Sequence, residues 1–341
     1  MLDILMKLCA APGISGHEDE VRRLIIEQIE GFAPYEIDGM GNLIVHKTGE
    51  MRPTRRLMLA AHMDEVGFLI THVEESGLLR FVPVGGVSTA AMLGARVLVG
   101  PDRLPGVIGG CPIHLLKKDE QDKLPQKENL YIDIGADSAS AAKSVVSPGD
   151  PVVFDSGFEL FGDGLIKAKA LDDRAGVLLL IQMIRGEVPF DMDFVFTVQE
   201  EVGLRGAKCA AFGVDPDCAI VVDSTTAADL PGVEDSRRVC ALKGGAAVSF
   251  LDGRTVYNPE LYRFALDTAR RIGVKAQPKA AATGGNDAGA IHLNGTGVPT
   301  LALSVPCRYL HSPSCVMAES DLFDTLTLLR AVAGEMAGGV Q

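Results

Sequence analysis

The stretch LDDRAGVLLLIQMIRGEVPFDMDFVFTVQEEVG, Leu171–Gly203, decides the fold class. An acidic pair, Asp172-Asp173, precedes an apolar segment, Val177–Ile184, that reads as helix. A β-like run, Phe194–Val198, follows and ends on a second acidic pair, Glu200-Glu201. Downstream the same rhythm continues. Helix is expected over Arg174–Arg185, Arg205–Phe212, Pro259–Gly273, Asp287–Leu293 and Ala318–Gly334. Strand is expected over Asp193–Val198, Cys218–Asp223, Ala246–Phe250, Lys275–Pro278 and Val298–Val305. Alternation of this kind is the signature of an α/β domain.

Upstream, Met1–Ala10 has helical spacing of Leu2, Leu5, Met6 and Leu8. Ser15 stands three residues before Glu18, a capping-box pattern for a helix over about His17–Glu30. Strands are expected at Tyr35–Ile37, Asn42–His46 and Arg56–Ala61. After Asp64 the pattern changes to short β-like runs broken by Gly and Pro: Gly67–His72, Leu78–Pro83, Arg96–Val99, Pro105–Ile113, Tyr131–Ile134 and Pro151–Phe154. That is barrel-like. A short helix is expected at Ser138–Val146, and the charged stretch Leu115–Asn129 reads as a mobile loop. Residues 66–159 thus read as a β-rich insert in an α/β domain formed by residues 1–65 and 160–341.

The 341 residues are 47% hydrophobic, enough for a sizeable core, but only 5% aromatic, with no Trp. This argues against surfaces that stack sugars or bases. A net charge of −13 repels polyanions, so nucleic acid is excluded as a partner, and the acidic surface favours cationic or neutral peptides. The seven dispersed cysteines form no CxxC, which fits reduced thiols. No signal peptide or membrane span is evident, and the expected location is the cytoplasm.

Ligand-type residues recur at the ends of apolar runs. His62 and Asp64 follow Leu57–Ala61, Asp223 follows Ala219–Val222, and His311 follows the segment from Val305. In a strand, residues i and i+2 point the same way, so Asp64 can orient His62 by accepting its second ring proton. An Asp pair ahead of a helix also suits N-capping, but Asp172 can equally bridge two metals. Of Glu200 and Glu201, one carboxylate would bind metal. The other would stay unligated and move protons. Delivered together at strand ends, as open α/β sheets deliver their sites, these residues make a place for two divalent ions and a hydrolase.

The order and spacing of these motifs resemble the M42 family of metallo-aminopeptidases nearly end to end. The likeness lies in Ala11–Glu18, Ala61–Gly67, Ala170–Arg174, Gln199–Gly203, Val222–Ser224 and Arg308–Ser312. It implies a mixed-sheet zinc-peptidase-like catalytic domain with an inserted β-barrel-like dimerisation domain. It implies one metal held by His62, Asp172 and Asp223 and a second held by Asp172, Glu201 and His311, with Asp172 bridging. Glu200 is then the general base acting with a metal-bridging hydroxide, and Asp64 orients His62. It further implies zinc or cobalt, short peptide substrates cleaved at the N-terminal residue, and dimers assembling into a dodecamer.

Other readings carry less. Thr283–Ala290 is a Gly-rich helix entry without a Walker or GxGxxG pattern, expected as a substrate-side loop with Asp287 as cap. Gly85-Gly86 reads as a turn. Cys307 lacks an activating partner for a thiol nucleophile. The same metals could serve a deacylase or carboxypeptidase, and an inert scaffold would need no ligand set. Endoglucanase chemistry asks for paired carboxylates across a sugar rather than metals.

Overall fold

The computed structural model describes residues 1–119, 121–280 and 284–339. The strands form an eleven-stranded mixed sheet and a closed six-stranded barrel. Four parallel strands make the middle of the sheet, in the order Met192–Thr197, Leu57–His62, Cys218–Thr226 and Thr300–Arg308. They are buried almost throughout, which explains why they read as unbroken apolar runs. Their alternate residues serve two cores. Leu57, Leu59 and Ala61 join the large core containing helix Leu171–Ile184, whereas Met58 and Ala60 join the smaller one containing helix Arg205–Val214. Helix Leu171–Ile184 is buried nearly all round, so its apolar run shows no stripe.

Antiparallel strands flank this centre and make the sheet mixed. Leu43–Lys47 and Tyr35–Ile37 lie on one side, and Cys315–Ala318, Leu165–Ala168 and Glu159–Phe161 on the other. The last three go beyond the sequence reading. Helix Pro259–Ile272 matches its local signals closely. Asn258 caps its start through Glu260 and Leu261 N–H, and Gly273 ends it at φ +74°.

The barrel is closed by Gly67–Val73, Leu79–Val84, Tyr131–Asp133, Leu104–Gly109, Arg96–Val99 and Pro151–Phe154. Its own core centres on Phe68, which meets Phe81 and Phe154 edge-on at 5.1 and 5.3 Å. Closure removes the exposed edges that short strands would otherwise present. The first barrel strand begins three residues after Asp64, so the barrel is tied directly to the end of a central sheet strand. The charged stretch expected as a loop lies between two single 3₁₀ turns, Ile113–Leu115 and Lys127–Asn129.

Candidate metal centre

The carboxyl ends of the four parallel strands converge. His62 ends its strand, Asp223 lies within the third, Glu200 and Glu201 sit in the turn after Thr197, and His311 follows Arg308. Asp172 joins them from the start of helix Leu171–Ile184, where Asp172 and Asp173 have non-helical backbone angles. His62 Nε2 lies 3.3 Å from Asp172 Oδ1 and 3.7 Å from Asp223 Oδ1. His311 Nε2 lies 3.3 Å from Asp172 Oδ2 and 3.2 Å from Glu201 Oε1. The two oxygens of one carboxylate therefore face two different imidazoles. Glu200 shares a donor cluster with His62 and Glu201.

The two residues of the Asp pair make different contacts. Asp173 Oδ1 accepts the Gly176 N–H at 3.0 Å, the bond of an N-cap, while Asp172 turns to the histidines. Asp173 also lies within 4.8 Å of His62 and Asp223 donor atoms. We place it as the cap, because the His62 Nε2 contact runs to Asp172.

The layer behind these residues differs from expectation in three places. First, His62 Nδ1 donates to the Asp64 backbone carbonyl at 3.1 Å, with Asp64 Oδ1 farther away at 3.5 Å. The Asp64 carboxylate instead accepts from Glu200 N–H, Glu201 N–H and Ser15 Oγ at 3.0, 3.1 and 2.6 Å. It holds the Glu200-Glu201 turn. Second, Ser15 caps no helix. The helix runs Asp19–Ile29 without a side-chain cap, and Glu18 Oε1 accepts from Gly16 and Gln199 N–H. The spacing that looks like a capping box serves the site. Third, Asp287 makes no side-chain cap and accepts from Thr197 Oγ1 at 2.5 Å.

The barrel also reaches the site. His311 Nδ1 donates to the Gly86 carbonyl at 2.8 Å, leaving Nε2 free for a cation. A Cβ on Gly86 would stand 3.5 Å from that ring, and one on Gly85 would stand 2.7 Å from Val66 Cγ1 and 3.2 Å from Glu201 Cβ. Backbone strain gathers here: Ala170, Gln199, Tyr309 and His311 have φ of +55°, +56°, +59° and +56°. Left-handed angles in non-glycine residues persist where surrounding structure enforces them, commonly at functional sites.

The electrostatics are those of a site with surplus negative charge. Burial works to lower the His62 pKa, but the carboxylates of Asp172, Asp223 and Asp64 outweigh it and hold it well above the usual value. His311 is likewise raised, because Asp172 and Glu201 override burial. Burial pushes the Glu200 carboxyl well up, with Asp287, Glu201 and Asp223 adding to the push and His62 opposing it. Asp223 and Glu201 are raised mainly by burial. Asp172 is held low against burial by its two imidazole contacts. Asp172 Oδ1 is nonetheless buried without a hydrogen-bond donor. An orphaned buried carboxylate oxygen beside imidazole and further carboxylates fits a divalent cation.

A cavity of about 530 Å³ opens on the cluster. Its wall includes Ser88, Leu204, Thr225, Thr226, Gly284, Gly285 and Leu310, with two cations, Arg254 and Lys279. Gly284 and Gly285, from the Gly-rich helix entry, thus line this cavity, while Thr283 lies outside the described residues. Burial raises the Cys307 thiol well above its usual value, which disfavours a thiolate nucleophile.

The M42 glutamyl aminopeptidase family profile matches residues 41–328. The chain belongs to the M42 family. Family membership makes it an aminopeptidase, a hydrolase of peptide bonds, and implies use of divalent metal. An Acetivibrio thermocellus relative, proposed as an aminopeptidase, is 40% identical over 332 residues, spanning 96% of this chain and 97% of its own. The fold matches the aminopeptidase APDkam598 of Desulfurococcus kamchatkensis with a TM-score of 0.92 at 35% identity, over 98% of this chain and 94% of the other. It also matches the Pyrococcus horikoshii TET1 peptidase with a TM-score of 0.86 at 36% identity, over 98% and 99% of the two chains. That peptidase can assemble into a tetrahedron or a large octahedral shell. Among the described residues, no helix is long and apolar enough to cross a membrane.

Proposed function

We propose that this M42 chain is a dinuclear-metal aminopeptidase that releases the N-terminal residue of short peptides, with Glu200 as general base and acid. His62, Asp172 and Asp223 would hold one ion, and Asp172, Glu201 and His311 the other. The observation that carries this reading is the Asp172 carboxylate, whose Oδ1 and Oδ2 each lie 3.3 Å from a different imidazole. Zinc or cobalt bound there would polarise the scissile carbonyl and acidify water.

The rest is the work of side chains. Glu200, fixed through its backbone N–H by Asp64, takes a proton from the attacking water and returns it to the leaving amine. Asp64 and Gly86 hold the turn and the His311 ring, so the donor set is arranged before ligand arrives. Residues 66–159 would form the dimerisation unit of a larger homo-oligomer, on the example of the P. horikoshii neighbour. The free cysteines accord with a cytoplasmic setting.

The test is release of the first amino acid from short peptides with free or acetylated N-termini, with added Zn²⁺ or Co²⁺ and with chelator. Metal-dependent cleavage of the free-amine set alone is expected. Cleavage of the acetylated set would move the assignment to a deacylase or carboxypeptidase.

A further inference from the structure

Two thiols lie at the root of the segment that carries His311. Cys307 is the next-to-last residue of strand Thr300–Arg308, and Cys315 is the first residue of strand Cys315–Ala318. The two strands pair antiparallel, with Cys307 opposite Met317 and Arg308 opposite Val316. Cys315 is two residues from Met317, so both thiols stand on one face of the sheet as a diagonal pair. Both are buried in the large core, and they hydrogen-bond each other. The Cys9 thiol is near Cys315 as well, but the hydrogen bond runs between Cys307 and Cys315.

The chain between them, residues 308–314, holds His311 over the metal cluster, where its Nδ1 donates to the Gly86 carbonyl. Tyr309 and His311 are left-handed non-glycine residues, so this shape persists only while its surroundings enforce it. The thiols are part of those surroundings. Cys315 Sγ lies 3.5 Å from the carbonyl oxygens of Tyr309 and Ser312, and Cys307 Sγ lies 3.5 Å from that of Arg308. A cavity of about 10 Å³, room for one water, is lined by Cys315 together with Asp172, Glu201 and His311. Cys315 thus borders the cluster as well as Cys307.

We propose that Cys307 and Cys315 are an oxidisable pair, closed to a disulfide by a hydroperoxide, that turns the site off by drawing in the segment that holds His311. The effect on activity rests on the metal assignment above; the bridge itself does not. Cys315, which borders the cavity, attacks one peroxide oxygen. The O–O bond breaks, water leaves, and Cys315 becomes a sulfenic acid. The Cys307 sulfur then displaces the sulfenic oxygen, forming the S–S bond and a second water. The two thiols lose two electrons to the peroxide, and their protons leave in the waters. Diagonal partners in a sheet stand about 7–8 Å apart, while bridged half-cystines have Cα atoms about 4.4–6.8 Å apart, so closure pulls the two strand ends together. It also removes both S–H donors from the carbonyls of Arg308, Tyr309 and Ser312. Each change unsettles His311 at its bond to Gly86. Disulfides in a reducing compartment are usually of this transient, redox-sensing kind.

The experiment treats the full chain with hydrogen peroxide, metal-free and zinc-loaded, and maps disulfides in unreduced digests by mass spectrometry. A Cys307–Cys315 bridge that dithiothreitol reverses is expected. No bridge, a bridge from Cys9 to Cys315, or sulfinic acid at Cys315 in place of a bridge overturns the pair. Calorimetry with zinc reads the consequence without turnover. One of the two proposed ion sites should weaken by about 10–100-fold in the bridged chain, the range for losing a group that orients a metal-bound imidazole. Release of the first residue from short peptides should fall by a similar factor and return with dithiothreitol. Cys307→Ala should keep the rate of the untreated enzyme and resist peroxide, and Cys307→Ser serves the same test if the smaller side chain unsettles the core. A treated variant that loses as much rate as the unmodified enzyme would trace the inhibition to another target, such as the exposed Cys111 or Cys209, and overturn the switch. A bridged chain with unchanged zinc binding or unchanged turnover would overturn it as well. A bridge that weakens zinc binding in a chain that cleaves nothing would leave the switch standing and sink the hydrolase reading.

Discussion

Two buried ionic clusters share the segment Lys169–Arg174, and they are built on opposite terms. In the first, Lys169 Nζ donates to both Glu65 oxygens at 2.7 and 2.8 Å and to the Ala11 carbonyl at 3.3 Å. Arg174, fully buried, donates to the carbonyls of Leu8, Ala11 and Gly13 and lies 3.6 Å from Glu65. A Cβ on Gly13 would stand 2.8 Å from that guanidinium, so the close approach requires glycine. Arg174 Nε is the one nitrogen of this network without an acceptor. In the second cluster, five acids, Asp172, Asp173, Glu200, Glu201 and Asp223, surround two imidazoles, and oxygens of Asp172 and Asp173 are buried with no donor. The first cluster is closed: Glu65 and backbone carbonyls take up nearly all of its donors, and it ties the N-terminal segment to the turn before helix Leu171–Ile184. The second is open: it needs cations from outside. Burial of charge alone does not distinguish scaffold from site, but the balance of donors and acceptors does.

The contrast is sharpest in activity. Glu200→Gln should lower kcat by about 10²–10⁴-fold, the range for loss of a positioned acid–base group. Metal content, measured by elemental analysis, should stay at the level of the unmodified enzyme, since Glu200 belongs to neither proposed ligand set. Near-normal turnover would remove Glu200 from its role.

The closed cluster should answer in stability instead. Lys169→Met leaves Glu65 buried without its main partner, and breaking a buried pair in this way is destabilising by about 3–5 kcal/mol. Replacing both, Lys169→Met with Glu65→Leu, should recover much of that loss. In the metal-free protein, Glu200→Gln should be neutral or stabilising, because burial and the neighbouring carboxylates already disfavour the charge on Glu200. Denaturant melts of the metal-free variants rank these effects. A Glu200→Gln loss as large as that of Lys169→Met would erase the distinction between the clusters.

Cations supply the next, smaller effect. Zinc or cobalt at about a hundred times its dissociation constant should stabilise the chain by about 2.7 kcal/mol per site, and Asp172→Asn should abolish most of it. Binding should also release protons, because His62 and His311 are held protonated by the carboxylates around them and must give up those protons to coordinate. Calorimetry in buffers of different ionisation enthalpy counts the protons. Stabilisation without proton release would mean that the ion sits elsewhere.

Much of the open cluster was legible in sequence because His62, Glu200, Glu201 and Asp223 follow apolar runs that end at the same edge of the sheet, while Asp172 and Asp173 precede the apolar run of a helix. The strand period brought His62 and Asp223 to that edge, and the acidic pairs marked the turns beside it. The closed cluster was not legible. Glu65 and Lys169 are 104 residues apart, and a lone Lys in a strand-to-helix turn gives no sign that it is buried. Ser15 and Glu18 mimicked a capping box, since local spacing cannot show that their partners are Asp64 and Gln199 across the fold. Gly86 read as a turn because a backbone carbonyl leaves no trace in residue type. Tertiary distance, rather than chemistry, separates what the sequence disclosed from what it withheld.

The subtlest way to tell the clusters apart is pH. Asp287 lies beside the open cluster, and burial, reinforced by Asp64 and Asp223 against His62 and Thr197, raises its carboxyl to about 7. Its Oδ1 is buried with no partner. Between about pH 4, the ordinary range of an Asp, and pH 7, the folded metal-free chain holds a proton on Asp287 that the unfolded chain has lost. Native protons then outnumber unfolded ones, so stability is complete below that window and falls as pH rises through it. One proton bounds the slope at about 1.4 kcal/mol per pH unit. Asp287→Asn keeps the bond from Thr197 and removes the titration, so its stability should fall less steeply from pH 4 to 7, read by denaturant melts in chelator. Lys169→Met, which strips a charge from the closed cluster, should leave the Asp287 contribution in place. Equal slopes with and without Asp287 would show that the surplus charge is stored on the other acids of the cluster, and would move the proton reservoir inward to Glu200.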